Sequence, residues 1–280
     1  MNLRRVLVMS FSLSAAACAS FGTFAGQDTG DVTFADNAEE NMRKGNDAMN
    51  AKNYQEASAY FEFVKTKYPY LEVAKTAELR LADADFERDR FAEGRERYQN
   101  FVRLHPTDAR IDYAAFRAAL THYKEIPSDF FLLPPASEKD QVEVRNAASA
   151  LQEFVRSYPS SEHQAEAKKV LDEVRVRLAE HELYVAAFYA RRDRWPAVVN
   201  RLNTVAKDYA GTEALDERVA FGLYDAYVAL KEPAKAKEAL QKFIDAHPED
   251  SSAKKAHRLI SELPASVPPL APEPSRDAGT

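Results

Sequence analysis

One cysteine in 280 residues rules out an internal disulfide, and eight glycines are too few for the turns of a β-sandwich or barrel. No segment alternates apolar and polar residues over strand length, which leaves helices as the building element. The sequence also lacks Gly-x-Ser-x-Gly and His-Glu-x-x-His. Gly22, Gly26 and Gly30 have no strand before them and no helical pattern directly after, so they cannot cradle a phosphate. An excess of basic charge is missing as well. Lysine plus arginine number 38 against 44 acidic residues, a formal net charge of −6 that opposes general nucleic-acid binding.

What the chain does have is a recurring stop. An apolar helical stripe ends four times at an aromatic residue or histidine followed by proline: Tyr68-Pro69, His105-Pro106, Tyr158-Pro159 and His247-Pro248. A fifth stop, Asp208-Tyr209-Ala210, lacks the proline. Proline cannot donate the next helical hydrogen bond and turns the residue before it away from helical geometry, so each stop closes a helix. At matching offsets before the stops lie Ala57, Phe61, Val64; Gly94, Tyr98, Phe101; Ala147, Leu151, Phe154; Val198, Leu202, Val205; and Ala236, Leu240, Phe243. The spacing of three and four builds one buried face, and the small residue of most sets lets a neighbouring helix approach. Paired first helices are expected over residues 39–50, 73–87, 111–125, 165–191 and 215–230. The resulting fold class is all-α, a tetratricopeptide-like superhelical array of about five helix pairs over residues 38–262. A helical bundle is the alternative, although a bundle has no reason to repeat the stop. The intervals between stops are longest around the third unit, which predicts a bend or hinge near an apolar insertion at 126–139 containing Phe130-Phe131.

The N-terminal end assigns the compartment. Arg4 and Arg5 precede an apolar run over residues 6–17, too short to span a membrane and ordered like a secretory signal. Cys18 follows Ala16 and Ala17, in a setting that resembles a bacterial lipobox, with Ala15 where leucine is usual. Residues 1–17 are therefore expected to be a lipoprotein signal and Cys18 the lipid attachment site. Ordinary cleavage after residues 15–17 is the alternative. Removal of both arginines leaves 36 basic against 44 acidic residues, a formal −8. Ala19, rather than aspartate, directs such lipoproteins to the outer membrane, facing the periplasm. Residues 18–37 are polar and read as a tether, and the proline-rich 263–280 as a disordered tail.

No set of catalytic residues, metal ligands or cofactor contacts emerges. His105 and His247 sit at helix ends, where the dipole favours a partly charged imidazole; His122, His163, His181 and His257 are scattered. The carboxylates intersperse with basic residues, as in Glu87-Arg88-Asp89-Arg90, which describes solvated helix faces.

Two segments carry a family resemblance. One is Pro106-Thr107 followed by Ile111-Asp112-Tyr113; the other runs from Arg177-Leu178-Ala179-Glu180-His181-Glu182 through Phe188-Tyr189 to Trp195-Pro196-Ala197-Val198-Val199-Asn200-Arg201. Together they resemble the BamD (ComL) family, the lipoprotein of the outer-membrane β-barrel assembly machinery. The resemblance spans roughly residues 39–248 and departs at Ala210 and in the proline-rich end. It implies a scaffold rather than an enzyme, whose first half (about 38–125) receives unfolded outer-membrane barrel proteins and whose second half (about 140–262) docks on the POTRA region of a BamA-like barrel protein. Other assembly lipoproteins are further candidate partners. A substrate groove is expected along Arg43, Asn46, Arg80, Asp83 and Glu87, with Tyr54 and Phe86 as walls, although core packing also accounts for the two aromatics. Trp195 and Arg201 are expected to dock the partner, with a turn-packing role as the alternative for Trp195. A periplasmic adaptor for envelope maintenance or cell division is the rival function; an enzyme is the third.

Overall fold

A computed structural model describes residues 32–127, 136–209, 211 and 213–264. Cys18, the Phe130-Phe131 run and most of the proline-rich end lie outside the described residues. Eleven α-helices are present among the described residues: α1 Ala38–Asn50, α2 Tyr54–Lys67, α3 Glu72–Glu87, α4 Phe91–Leu104, α5 Ile111–Glu125, α6 Val142–Ser157, α7 Gln164–Ala190, α8 Trp195–Asp208, α9 Glu213–Ala229, α10 Pro233–Ala246 and α11 Ser251–Glu262. Each helix packs on the next in sequence, and first helices of successive units also touch, α1 with α3 and α5 with α7. That is the stacking of a tetratricopeptide-like solenoid. None of the described helices is long and apolar enough to cross a membrane.

The stops behave as the chemistry of proline requires. Tyr68, His105, Tyr158 and His247 each leave the helix at φ near −125 to −132° and ψ of 49 to 61°. Tyr209, with no proline after it, stays at ψ 10°. Within pairs, the turns share a different device: Lys52, Asp89, Asp193 and Lys231 all take positive φ, between 55 and 61°. Each precedes its second helix by two residues, at a place where a left-handed residue redirects the chain.

The expected offsets are the core. Ala57, Phe61, Val64, Tyr98, Phe101, Ala147, Leu151, Phe154, Val198, Leu202, Val205, Ala236, Leu240 and Phe243 are all buried. Close approach is visible at Gly45, where an added Cβ would lie 2.5 Å from the Phe61 ring.

Two features depart from the sequence reading. Residues 32–37, assigned to the tether by composition, lie folded against the first pair. Asn41 is buried and clamps Ala35 through both its N–H and its C=O at 2.9 Å, and Phe34 stacks on Phe63 with centroids 4.3 Å apart. The last helix, α11, ends at Glu262, just before the proline-rich end, and covers α10 through Ala253, Ala256, Leu259 and Ile260. The apolar core also runs unbroken past the insertion. Its far boundary falls along the 27-residue α7, near Leu178 and Ala179. The flanks of the insertion are tied to that helix, with Arg177 donating to the Pro127 carbonyl at 2.9 Å and the His181 ring 2.7 Å from the Ser137 carbonyl.

Candidate functional site

First helices of stacked pairs line one side of the array, so polar residues on α1, α3 and α5 meet only if their registers agree. They do. Arg80 Nε donates to Asn46 Oδ1 at 3.0 Å, and its Nη1 meets Asp83 Oδ2 at 3.1 Å. The other oxygen of the buried Asp83 accepts hydroxyls from Tyr98 at 2.6 Å and Tyr113 at 2.7 Å. Arg117 Nε donates to the Tyr98 oxygen at 3.2 Å, and its Nη2 reaches Glu87 at 3.2 Å. The same guanidinium lies 3.7 Å over the Phe86 ring. Asn46, Arg80, Asp83, Tyr113, Arg117 and Glu87 thus form one polar row across three units.

Burial drives the Tyr98 and Tyr113 hydroxyls far above the usual phenol range, with the Asp83 charge adding to it. Both remain donors at neutral pH. Burial works against the Arg117 charge, but the facing tyrosines and Asp83 outweigh it and raise its pKa. Asp83 is engaged on both oxygens, so it is not a spare base. Exposed Glu87 and half-buried Arg80 are the groups left facing outward, an acceptor and a donor for a peptide backbone or side chain.

Asn46, Arg80, Asp83, Phe86 and Glu87 are therefore brought together. Arg43 and Tyr54 are not. Arg43 is exposed and paired within its own helix, to Glu40 at 2.6 Å and Asp47 at 2.7 Å. Tyr54 opens α2 and is half-buried. Phe86 belongs to the buried core, its ring covered by Arg117. Two residues of the row, Tyr113 and Arg117, were missing from the expected set. Their signal was the spacing of four on α5, which places both on the face turned to α3.

The segment from Pro106 to Tyr113 has a geometric reason to hold its residue types. Asp108 braces Arg110 through Nε at 2.8 Å and Nη2 at 2.9 Å, which holds the Asp108 carboxyl down at about 2. Arg110 reaches back to Thr76 at 2.6 Å, while Asp112 accepts from Ser161 at 2.7 Å in a later turn. One short stretch thereby ties three units together.

In the second half, Arg201 donates to Glu182 at 2.9 Å, which raises its pKa; Tyr189 also bonds it. Trp195, at the first position of α8, is half-buried against the core of α7, α8 and α9. In the last turn of α7, Phe188 is exposed with the Arg192 guanidinium 3.6 Å over its ring. That aromatic-arginine pair, inside the family-like segment, went unrecognised in sequence because a lone Phe-Tyr on a helix reads as core. A separate groove of about 420 Å³ lies between α8 and α10 with α9 as its floor, lined by Asn203, Leu223, Tyr227, Lys242 and Phe243. Trp195 and Arg201 are not part of it.

The histidines are structural staples. His105 meets Glu78 at 2.8 Å and His247 meets Asp216 at 3.0 Å, each joining the end of a second helix to the first helix of its own pair. His122, Glu125 and Glu143 converge closely enough to suggest a cation, and one is there already: Arg95 sits on Glu125 at 2.7 Å.

Residues 35–243 match the YfiO family, described as an outer membrane lipoprotein. The outer membrane protein assembly factor BamD of Neisseria gonorrhoeae is 28% identical over 81% of this chain and 85% of its own length. That of Haemophilus influenzae is 28% identical over 88% and 93%, and that of Caulobacter vibrioides 26% over 84% and 74%.

Proposed function

This chain belongs to the YfiO family of outer membrane lipoproteins, and on that footing we propose that it is a non-enzymatic subunit of the machinery that assembles β-barrel proteins into the outer membrane. The family is the one anticipated from residues 103–113 and 177–201. In this reading Cys18 carries the lipid that holds the chain at the periplasmic face of the outer membrane. Unfolded barrel proteins are received along the first helices of the early units, and the later units dock on the POTRA region of a BamA-like protein.

The observation that carries the reading is the polar row on α1, α3 and α5, with Arg80 and Glu87 facing outward. Three consecutive first helices offer donors and acceptors at repeat spacing, which suits an extended peptide whose own backbone groups repeat. The Phe188–Arg192 pair and Arg201 supply the aromatic and arginine composition of a docking surface.

The test is a photo-crosslinking residue at Arg80 in cells, with a second at Phe188. Capture of unfolded barrel proteins at position 80 and of a BamA-like protein at 188 is expected. A chain that captures neither but retains envelope partners would be an adaptor of another kind.

A further inference from the structure

Paired helices run antiparallel, so α1 begins beside the end of α2, and the entry of the folded chain lies at the same end as the turns between pairs. Three contacts fix it there. Phe34 stacks on Phe63, Tyr60 meets Phe34 edge-on at 5.7 Å, and the Tyr68 hydroxyl donates to the Asp36 carbonyl at 2.7 Å. Thirteen residues, 19–31, separate Cys18 from Val32, a reach of at most about 50 Å when fully extended.

That end of the array carries side chains that ordinarily avoid water. Tyr70 is 99% exposed and Leu71 46% exposed in the α2–α3 turn; Leu104 is 62% exposed at the end of α4, and Phe34 42%. They share that end of the helices. The Leu71 N–H donates to the Tyr68 carbonyl at 3.1 Å, and Leu104 shares a shallow depression of about 540 Å³ with Glu72 and Lys75. Lys67 and Arg103 are exposed alongside.

Among the described residues, the large apolar side chains exposed at this end all lie in the first two units. The corresponding turns farther along read Pro159-Ser160-Ser161-Glu162 and Pro248-Glu249-Asp250-Ser251. At the opposite end of the helices the turns Lys52-Asn53, Arg88-Asp89-Arg90 and Lys231-Glu232 are polar or charged, and the exposed apolar side chains are the separate Val142, Phe188 and Val228.

We propose that this end face, Phe34, Tyr70, Leu71 and Leu104, rests in the interfacial layer of the phospholipid surface to which Cys18 is anchored. The proposal rests on the lipid-anchor reading above. Tyrosine favours the boundary between head groups and acyl chains, where its ring is buried and its hydroxyl stays wet. Lys67 and Arg103 suit phosphate head groups on a chain whose mature charge of −8 otherwise repels an anionic surface, while Lys75 is paired with Glu72 at 2.8 Å. Once the lipid has inserted, this weak contact is an intramolecular event at high effective concentration, so a few side chains suffice. The consequence is an orientation: α1 to α4 stand end-on to the bilayer, and the polar row of first helices faces sideways along it.

The experiment uses the full-length lipoprotein reconstituted into phosphatidylethanolamine–phosphatidylglycerol vesicles with brominated acyl chains, which quench tryptophan on contact. Tyr70→Trp is introduced in a Trp195→Phe background, and the unsubstituted chain reports from Trp195, at the first position of α8 at the opposite end. Strong quenching and a blue shift at position 70, with Trp195 unaffected, are expected. Protein with acylated Cys18 that co-floats with vesicles yet shows no quenching at position 70 overturns the end-face contact alone. Protein without an acyl group at Cys18 overturns the anchor reading and this inference with it.

Discussion

The Tyr113 hydroxyl on α5 donates to the carboxylate of Asp83 on α3 at 2.7 Å, sharing one oxygen with Tyr98. A single buried carboxylate therefore registers two units against each other. Tyr113→Phe removes one of its two tyrosine donors and is expected to cost about 1–2 kcal/mol. Asp83→Ala strips the partner from Tyr98 and Arg80 as well, and should cost about 3–5 kcal/mol. Urea denaturation of both variants checks the order; equal losses would mean that Asp83 is not the hub.

Both tyrosines titrate higher in the folded chain than the value of about 10 they have when unfolded. Their contribution is therefore complete below that pH and is lost as pH rises through the folded values. The urea midpoint should fall as pH is raised above about 10, and fall less steeply in Tyr98→Phe. Asp108 has the opposite sign. Its pKa, held at about 2, lies below the unfolded value, so its contribution is present above pH 4 or so and is lost on acidification toward about 2. Asp108→Asn should flatten the acid limb of the stability profile.

Arg201 is braced by Glu182 and Tyr189, so Arg201→Glu disturbs the fold and the docking surface together. The swap Arg201→Glu with Glu182→Arg restores the ion pair while inverting the charge presented on α8. Thermal stability near that of the unsubstituted chain, with lost co-purification of the BamA-like partner, is expected. Full recovery of co-purification would give Arg201 a purely structural role.

A methyl group at Gly45 would meet Phe61 atoms at 2.5 and 2.9 Å, and Phe61 is fully buried. Overpacking of this kind costs about 1–3 kcal/mol, against roughly 1 kcal/mol gained from helix propensity. Gly45→Ala should lower Tm. At Gly94 the nearest atoms are at 3.4 Å, so Gly94→Ala should be close to neutral or mildly stabilising. Scanning calorimetry of both separates close packing from glycine content as the cause.

The longest repeat intervals surround the third unit, which predicts a bend there. The core that runs unbroken from Leu79 to Leu178 points the other way, so amide exchange in the helices over residues 113–165 should be as slow as in the flanking pairs. Faster exchange there would restore the bend.

The sequence by itself determined the helix pairs. Proline acts on its own peptide bond and its immediate neighbour, so Pro69, Pro106, Pro159 and Pro248 end helices whatever surrounds them. The offsets of Phe61, Tyr98, Leu151, Leu202 and Leu240 reveal a buried face because helical periodicity is local. What packs on that face is not local. Tyr113 and Arg117 entered the polar row only when α5 was laid beside α3, and Arg43, similar in type to Arg80, fell outside it because its partners Glu40 and Asp47 lie on its own helix. Residues 32–37 look like tether in composition and become part of the fold through ring stacking and one buried asparagine, contacts supplied by α1 and α2. Periodicity and proline stops are properties of neighbouring residues, whereas register between helices, and with it the site, arises from contacts across thirty or more positions that only the packed chain creates.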